Sequence, residues 1–150
     1  MTQEDKDLLM QDLCSRLPYN VIVSLDSNRG VLEAAYPRDY AVCVDELEHK
    51  IHYDYGASVN YGRFDIEESN VRPYLRRMSS ITEDEAKFML YELVNDRDST
   101  KPEAEECALH ALWNAQLNEW LNAHHFDYRG LIDKGLAIEV TEENNPYENE

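Results

Sequence analysis

Between Tyr19 and Phe64 the chain permits only short extended segments, and this stretch constrains the fold more than any other. Val21, Val23 and Leu25 alternate. Ser27-Asn28-Arg29-Gly30 reads as a turn, and Val31 to Tyr36 resumes an extended pattern. Tyr40 to Val44 is a further apolar strand; Ile51, Tyr53 and Tyr55 alternate before Gly56, and Ser58 to Phe64 follows. A two-residue period puts every second side chain on one face, so each run can cover one side of a core. Four or five such strands in succession predict an antiparallel meander, closed into a small barrel or left as an open sheet.

Helical spacing frames this β region on both sides. Thr2 is placed to cap a first helix with acids in its opening turn, and Leu8, Leu9, Leu13 and Leu17 fall on one face before Pro18 stops it. Asn70 to Met78 reads as a link to a second helical part, with Pro73 holding Arg72 extended. Thr82 and Glu85 have the spacing of a capping box, as do Thr100 and Glu103. The first box opens a helix carrying Ala86, Met89, Leu90, Leu93 and Val94. The second opens a longer one with Leu109, Leu112, Trp113, Leu117, Trp120 and Leu121 toward the core. Gly130 and Gly135 suit left-handed turns, and Leu136 to Val140 reads as a strand rejoining the sheet. The expected fold is therefore α+β: an N-terminal helix, a β-meander or barrel, two amphipathic helices and a C-terminal strand. One domain spans residues 1–140, and 141–150 form an acidic, disordered tail.

Charge narrows the functions available. Acids number 31 against 14 basic residues, leaving −17, which disfavours contact with nucleic-acid phosphates because each such contact uses a Lys or Arg. No apolar run approaches the roughly 20 residues that span a bilayer, and the acidic start lacks the pattern of a signal peptide. Cys14, Cys43 and Cys107 are scattered among apolar residues without zinc or redox spacing, which predicts buried reduced thiols. These features point to a cytoplasmic protein that needs no cofactor or metal and is directed at another protein.

Three stretches carry a resemblance. They are Asp7 to Tyr19, Val71 to Glu85, and the run Trp120-Leu-Asn-Ala-His-His-Phe-Asp-Tyr-Arg-Gly-Leu-Ile-Asp-Lys-Gly-Leu136. Together they cover about a third of the chain, and the last is the most specific. In this order they resemble a family of small acidic proteins found in gut Bacteroidales and in their phages and mobile elements. Members usually have Pro at the position of Arg77 and often Met at that of Ile81. The family has no established activity, so the resemblance implies a bacterial or phage setting and assigns no catalytic or binding residue.

His124 and His125 are adjacent on a helix and point about 100° apart, so one metal cannot easily take both. The favoured reading has one capping the helix C-terminus and the other packing, with Asp127 and Arg129 as a local ion pair or turn hydrogen bonds. Glu106 and His110 share a helical face near Cys107 but are too few for a metal site, and His49 and His52 have no common chelate spacing. Tyr53 and Tyr55, within a tyrosine-rich β region that includes Tyr36, Tyr40 and Tyr61, could grip a peptide; cross-strand pairing is the simpler role. Arg72, Arg76 and Arg77, with Arg63, form the basic cluster, expected to pair with acids such as Glu67, Glu68 or Asp84, or else to hold an anionic partner group. Ser79-Ser80 lacks the setting of a nucleophile.

The leading expectation is a non-enzymatic interaction module with a protein partner. A second is acidic mimicry of DNA, for which Glu85, Glu92 and Asp96 on one helix, followed by Glu103 and Glu106, supply acids without a DNA-like double row. A third is a metal-dependent enzyme built on His124 and His125.

Overall fold

The computed structural model describes residues 1–26, 28–46, 52–54, 57–59, 61–88 and 115–147. Helix α1 spans Gln3–Arg16 and begins with a complete capping box: Asp5 N–H donates to Thr2 Oγ1 at 3.1 Å, and Thr2 N–H donates to Asp5 Oδ2 at 3.3 Å. Both donors would otherwise be orphaned in the first turn. A short 3-10 turn over Leu17–Tyr19 follows, and Asn20 in a left-handed conformation (φ 55°) turns the chain into the sheet. Leu9, Met10 and Leu13 are buried against that sheet.

Strands β1 (Ile22–Ser24), β2 (Arg29–Tyr36), β3 (Ala41–Glu46) and β6 (Tyr61–Asp65) run as consecutive antiparallel neighbours in the order β6-β3-β2-β1. Alternation does what the pattern requires: Val23, Leu32, Val42 and Val44 reach the core while Ser24, Val31, Cys43 and Asp45 face away or lie half-buried. A bulge between Leu32 and Ala34 shifts the β2–β3 register. β4 (His52–Asp54) and β5 (Ala57–Val59) pair separately.

The expected link at Asn70 to Met78 is instead a strand. β7 (Arg72–Arg77) pairs antiparallel with β1 through Val23↔Pro73 and Ser24↔Arg72. It then takes two parallel partners, β8 (Phe126–Asp127) at Arg76 and Arg77, and β9 (Ile138–Glu139) at Tyr74 and Leu75. Its sequence hid this because Pro73 lacks a ladder donor and the outward positions carry arginines. The alternation is nevertheless present, with Pro73 and Leu75 buried between half-buried Arg72, Tyr74 and Arg76. The sheet is thus mixed rather than purely antiparallel, and it is open, with no barrel closure.

The turn assigned to Ser27-Asn28-Arg29-Gly30 sits earlier. Leu25 and Asn28 exchange backbone hydrogen bonds, and Arg29 and Gly30 already belong to β2. Gly30 packs so closely on β3 that a Cβ would collide with the Asp45 carbonyl oxygen and Val44 Cγ1. Backbone cannot yield there without breaking the register, so Gly30→Ala is expected to lose about 2 kcal/mol. A urea midpoint equal to that of the native chain would contradict the close approach.

Helix α2 (Glu83–Phe88) opens with the expected box: Thr82 N–H donates to Glu85 Oε1 at 3.0 Å and Glu85 N–H to Thr82 Oγ1 at 3.2 Å. Helix α3 (Ala115–Ala123) buries Leu117 and Leu121, which form a second apolar cluster with Phe126. Gly130 and Gly135 adopt φ 79° and 74°, as the turns require. The Thr100–Glu103 box, Trp113, Glu106, Cys107, His110, His49 and Tyr55 lie outside the described residues. Cys14 and Cys43 are free thiols, half-buried rather than fully enclosed, and burial pushes the Cys14 thiol up.

Residues 141–147 are not a free tail. Pro146 is buried, and the Tyr147 hydroxyl donates to Tyr74 O at 2.8 Å and accepts from Ile22 N–H at 3.0 Å. Among the described residues no helix is long and apolar enough to cross a membrane.

Candidate functional site

The stretches Asp7 to Tyr19, Val71 to Glu85 and Trp120 to Leu136 meet in space. Leu9, Asp12, Leu13 and Arg16 occupy one face of α1 at i, i+3, i+4 and i+7, so a charged pair lies within the apolar stripe. Both side chains are fully buried. Arg16 Nε and Nη2 donate to the two Asp12 oxygens at 2.8 and 3.0 Å, and Nη2 also donates to Phe126 O at 2.6 Å. From the far end of the chain, Arg129 Nη1 donates to Asp12 Oδ1 at 2.8 Å and to Ser15 Oγ at 3.1 Å. One carboxylate therefore holds two guanidiniums, and through them α1 is tied to the segment after α3. Arg16 Nη1 has no partner among the described residues, so the buried charge is compensated by its other bonds and by the Tyr128 ring 5.6 Å away.

Asp127 fixes the next segment. Its two oxygens accept from Leu131 N–H and Ile132 N–H, both at 2.9 Å, closing the loop that Gly130 turns. This is the turn hydrogen bonding expected of Asp127, whereas Arg129 pairs with Asp12 rather than locally. Asn122, also buried, accepts from Tyr128 Oη at 3.0 Å and donates to Asn118 Oδ1 at 3.0 Å.

The second stretch joins through β7. Arg76 makes a two-pronged ion pair with Glu85 at 2.9 and 3.0 Å, and its guanidinium lies 4.0 Å from the Phe126 ring centroid. Burial raises the Glu85 carboxyl, but Arg76 and the Thr82 amide outweigh it and hold the group below its ordinary value. Arg77 takes Asp133 at 2.7 Å and Glu139 at 2.8 Å. Arg63 pairs with Asp39 at 2.6 Å on the opposite border of the sheet and lies over the Tyr36 ring. The arginines thus pair with carboxylates, but with Glu85, Asp133, Glu139 and Asp39 rather than Glu67, Glu68 or Asp84; Glu67 is held by Lys6. Arg72 stands apart from Arg76 and Arg77, opposite Ser24, with a buried Nε that has no partner among the described residues. Tyr53 lies in β4 opposite Ser58, in the separate two-stranded sheet.

His124 and His125 diverge. His124 Nδ1 lies 2.9 Å from Trp120 O in the last turn of α3, so a protonated Nδ1 caps the helix, and its ring stacks on Trp120 at 4.0 Å. His125 adopts a left-handed backbone (φ 63°) and stacks on Tyr147 at 3.9 Å and 7°. Burial, and then the charges of Arg16, His124 and Arg76, depress its imidazole to about 4. Among the described residues no three His, Cys, Asp or Glu side chains converge as metal ligands.

Outside this network lies an open hollow of about 400 Å³, lined by Tyr19, Phe88, Gln116, Glu119, Trp120 and Ala123. The Trp120 ring that lines it stacks on His124 and, at 5.8 Å and 15°, on Phe126. Phe88 lies 6.2 Å from Trp120 and is 46% exposed. Leu117, Trp120 and Leu121 all face the apolar cluster as their spacing predicts, with Leu117 and Leu121 fully buried and Trp120 half-buried against it. The roles of Asp12, Arg16 and Tyr147 were not legible from spacing, although a charged pair at stripe positions 12 and 16 is a usable signal. No family model matches the chain, and neither any curated protein nor any solved structure matches it.

Proposed function

We propose that this chain is a non-enzymatic interaction module of a bacterium or its phages and mobile elements, binding a protein partner through the aromatic hollow beside Trp120. The observation that carries the reading is the hollow's construction: apolar and aromatic lining, an acidic residue at Glu119, and a Trp120 ring stacked on His124 and Phe126. A rigid aromatic anchor costs little conformational entropy on binding and suits an apolar knob from a partner. Glu119 and a net charge of −17 favour a partner with basic residues around that knob.

The test is a pull-down from a Bacteroidales host at low and high salt, using the native chain and Phe88→Glu. Phe88 is 46% exposed and its ring contact is with Trp120 on the surface, so the substitution is expected to cost no more than about 1–2 kcal/mol and to leave the fold intact. Capture that survives high salt and is lost in Phe88→Glu is the expected result. Equal capture by both proteins would remove the hollow as the site. Capture of a DNA-binding host enzyme at low salt alone would favour DNA mimicry, which the charge supports although Glu85 is committed to Arg76. Turnover of an ester, phosphoester or peptide, lost on changing one residue of the hollow, would overturn the non-enzymatic reading.

A further inference from the structure

We propose that the C-terminal segment ending at Tyr147 is a strap that closes over β1 and β7 and is released by acid, with His125 as the group whose protonation opens it. The slot it fills is a gap in the sheet. β1 and β7 pair at Val23↔Pro73 and Ser24↔Arg72, so the next residues in register are Ile22 and Tyr74. Between them stands the Tyr147 hydroxyl, accepting from Ile22 N–H and donating to Tyr74 O. A side chain from the tail thus replaces a rung of the ladder, in a place where Ile22 is 1% exposed and unpaired backbone is costly. Tyr147 is itself set by an Asx turn, its N–H donating to Asn145 Oδ1 at 3.0 Å, and Pro146 before it is buried.

The same ring lies flat on His125. His125 cannot follow a displaced strap, because its N–H donates to Asn122 O at 3.1 Å and its carbonyl accepts from Arg76 N–H at 2.7 Å. Its Nδ1 is buried without a partner among the described residues. The charges acting on it are Arg16 from α1, Arg76 from β7 and His124 from the end of α3, all of the sign that opposes a second cation. The acids nearest those arginines, Asp12 and Glu85, are already engaged by them. From the strap itself the facing group is the neutral Tyr147 ring, and the strap's acids Glu142 and Glu143 are exposed. Among the described residues, a proton on His125 Nδ1 therefore gains neither an acceptor nor a counter-charge while the strap is closed. Opening admits water to the ring, and the backbone around it stays fixed.

The experiment follows amide hydrogen exchange at Ile22, whose N–H is covered by Tyr147, in the full chain between pH 7 and pH 5. An imidazole held to about 4 under the strap and returned to its ordinary 6.5 outside it favours opening by about twentyfold over that interval. Protection at Ile22 is expected to fall by that factor in the native chain while protection at Leu13 and Val42 holds. His125→Asn, which tolerates the left-handed backbone, is expected to show less than a twofold change. Tyr147→Phe, lacking the bridging hydroxyl, loses Ile22 protection already at pH 7. Unchanged protection in the native chain, an equal fall in His125→Asn, or simultaneous loss at Ile22, Leu13 and Val42 would each overturn the strap. Should His125→Asn not fold, the His125 ring is titrated by NMR in the native chain and in Tyr147→Ala. Identical titration in the two would overturn the proposal equally.

Discussion

Asp12→Ala is expected to lose about 3–5 kcal/mol of folding stability, the largest effect of any single substitution considered. The carboxylate is fully buried and accepts three hydrogen bonds, two from Arg16 and one from Arg129. Its removal leaves the Arg16 guanidinium enclosed with only Phe126 O as an acceptor, and no route to water. Arg129 suffers less, because it keeps Ser15 Oγ and part of its side chain reaches solvent. The cost therefore comes mainly from stranding one charge rather than from losing a pair. That distinction has a consequence in the double variant Asp12→Leu with Arg16→Met. Replacing both partners with apolar groups of similar size removes the fully buried pair and leaves Arg129 with Ser15 Oγ and its partial exposure, and replacements of a whole buried pair are often close to neutral. Urea denaturation is expected to show the single variant far below the native midpoint and the double variant recovering most of the difference. A single variant within about 1 kcal/mol of the native chain would mean that Arg16 finds water, contrary to the burial.

Asp127→Ala is expected to cost about 3 kcal/mol, because two charge-assisted bonds to backbone amides disappear together. Leu131 is fully buried, so its N–H has no solvent to turn to. Asp127→Asn retains one good acceptor and is expected to lose roughly half as much. For a chain of this size the alanine variant lowers the melting temperature by roughly 6–12 °C. Exchange at the Leu131 and Ile132 amides is expected to rise with it. Should the melting temperature stay within a degree or two, the loop would be held by Gly130, Leu131 and Leu136 packing alone.

These two acids fix the stretch from Trp120 to Leu136, Asp12 by holding Arg129 and Asp127 by closing the loop after it. Trp120 and Phe126 stack, Asp127 closes the loop, and Arg129 reaches α1. The support this gives to the Trp120 ring comes from side chains that do not line the hollow themselves. A variant at Asp12 or Asp127 thus tests the scaffold, whereas Phe88→Glu tests the surface.

What the sequence determined by itself is local. Thr2 with Asp5, and Thr82 with Glu85, close their capping boxes because partners three residues apart meet in any first turn of a helix. Gly130 and Gly135 turn left-handed because only glycine does so without steric cost. The alternation at Val21, Val23 and Leu25, and at Val42 and Val44, placed those side chains in the core for the same reason of period. The division into α1, a β region and later helices followed from these signals. Tertiary structure decided the rest. β7 is a strand although it carries Pro73 and three arginines, because β1, β8 and β9 supply its ladder from distant parts of the chain. Arg77 found Asp133 and Glu139 rather than its sequence neighbours, and Tyr147 found Tyr74 at 73 residues' separation and Ile22 at 125. Spacing along a helix or strand fixes which near neighbours meet, whereas an ion pair between distant residues depends on the path of everything between them. A chain with 31 acids offers each arginine many equivalent partners, and only the folded geometry chooses among them.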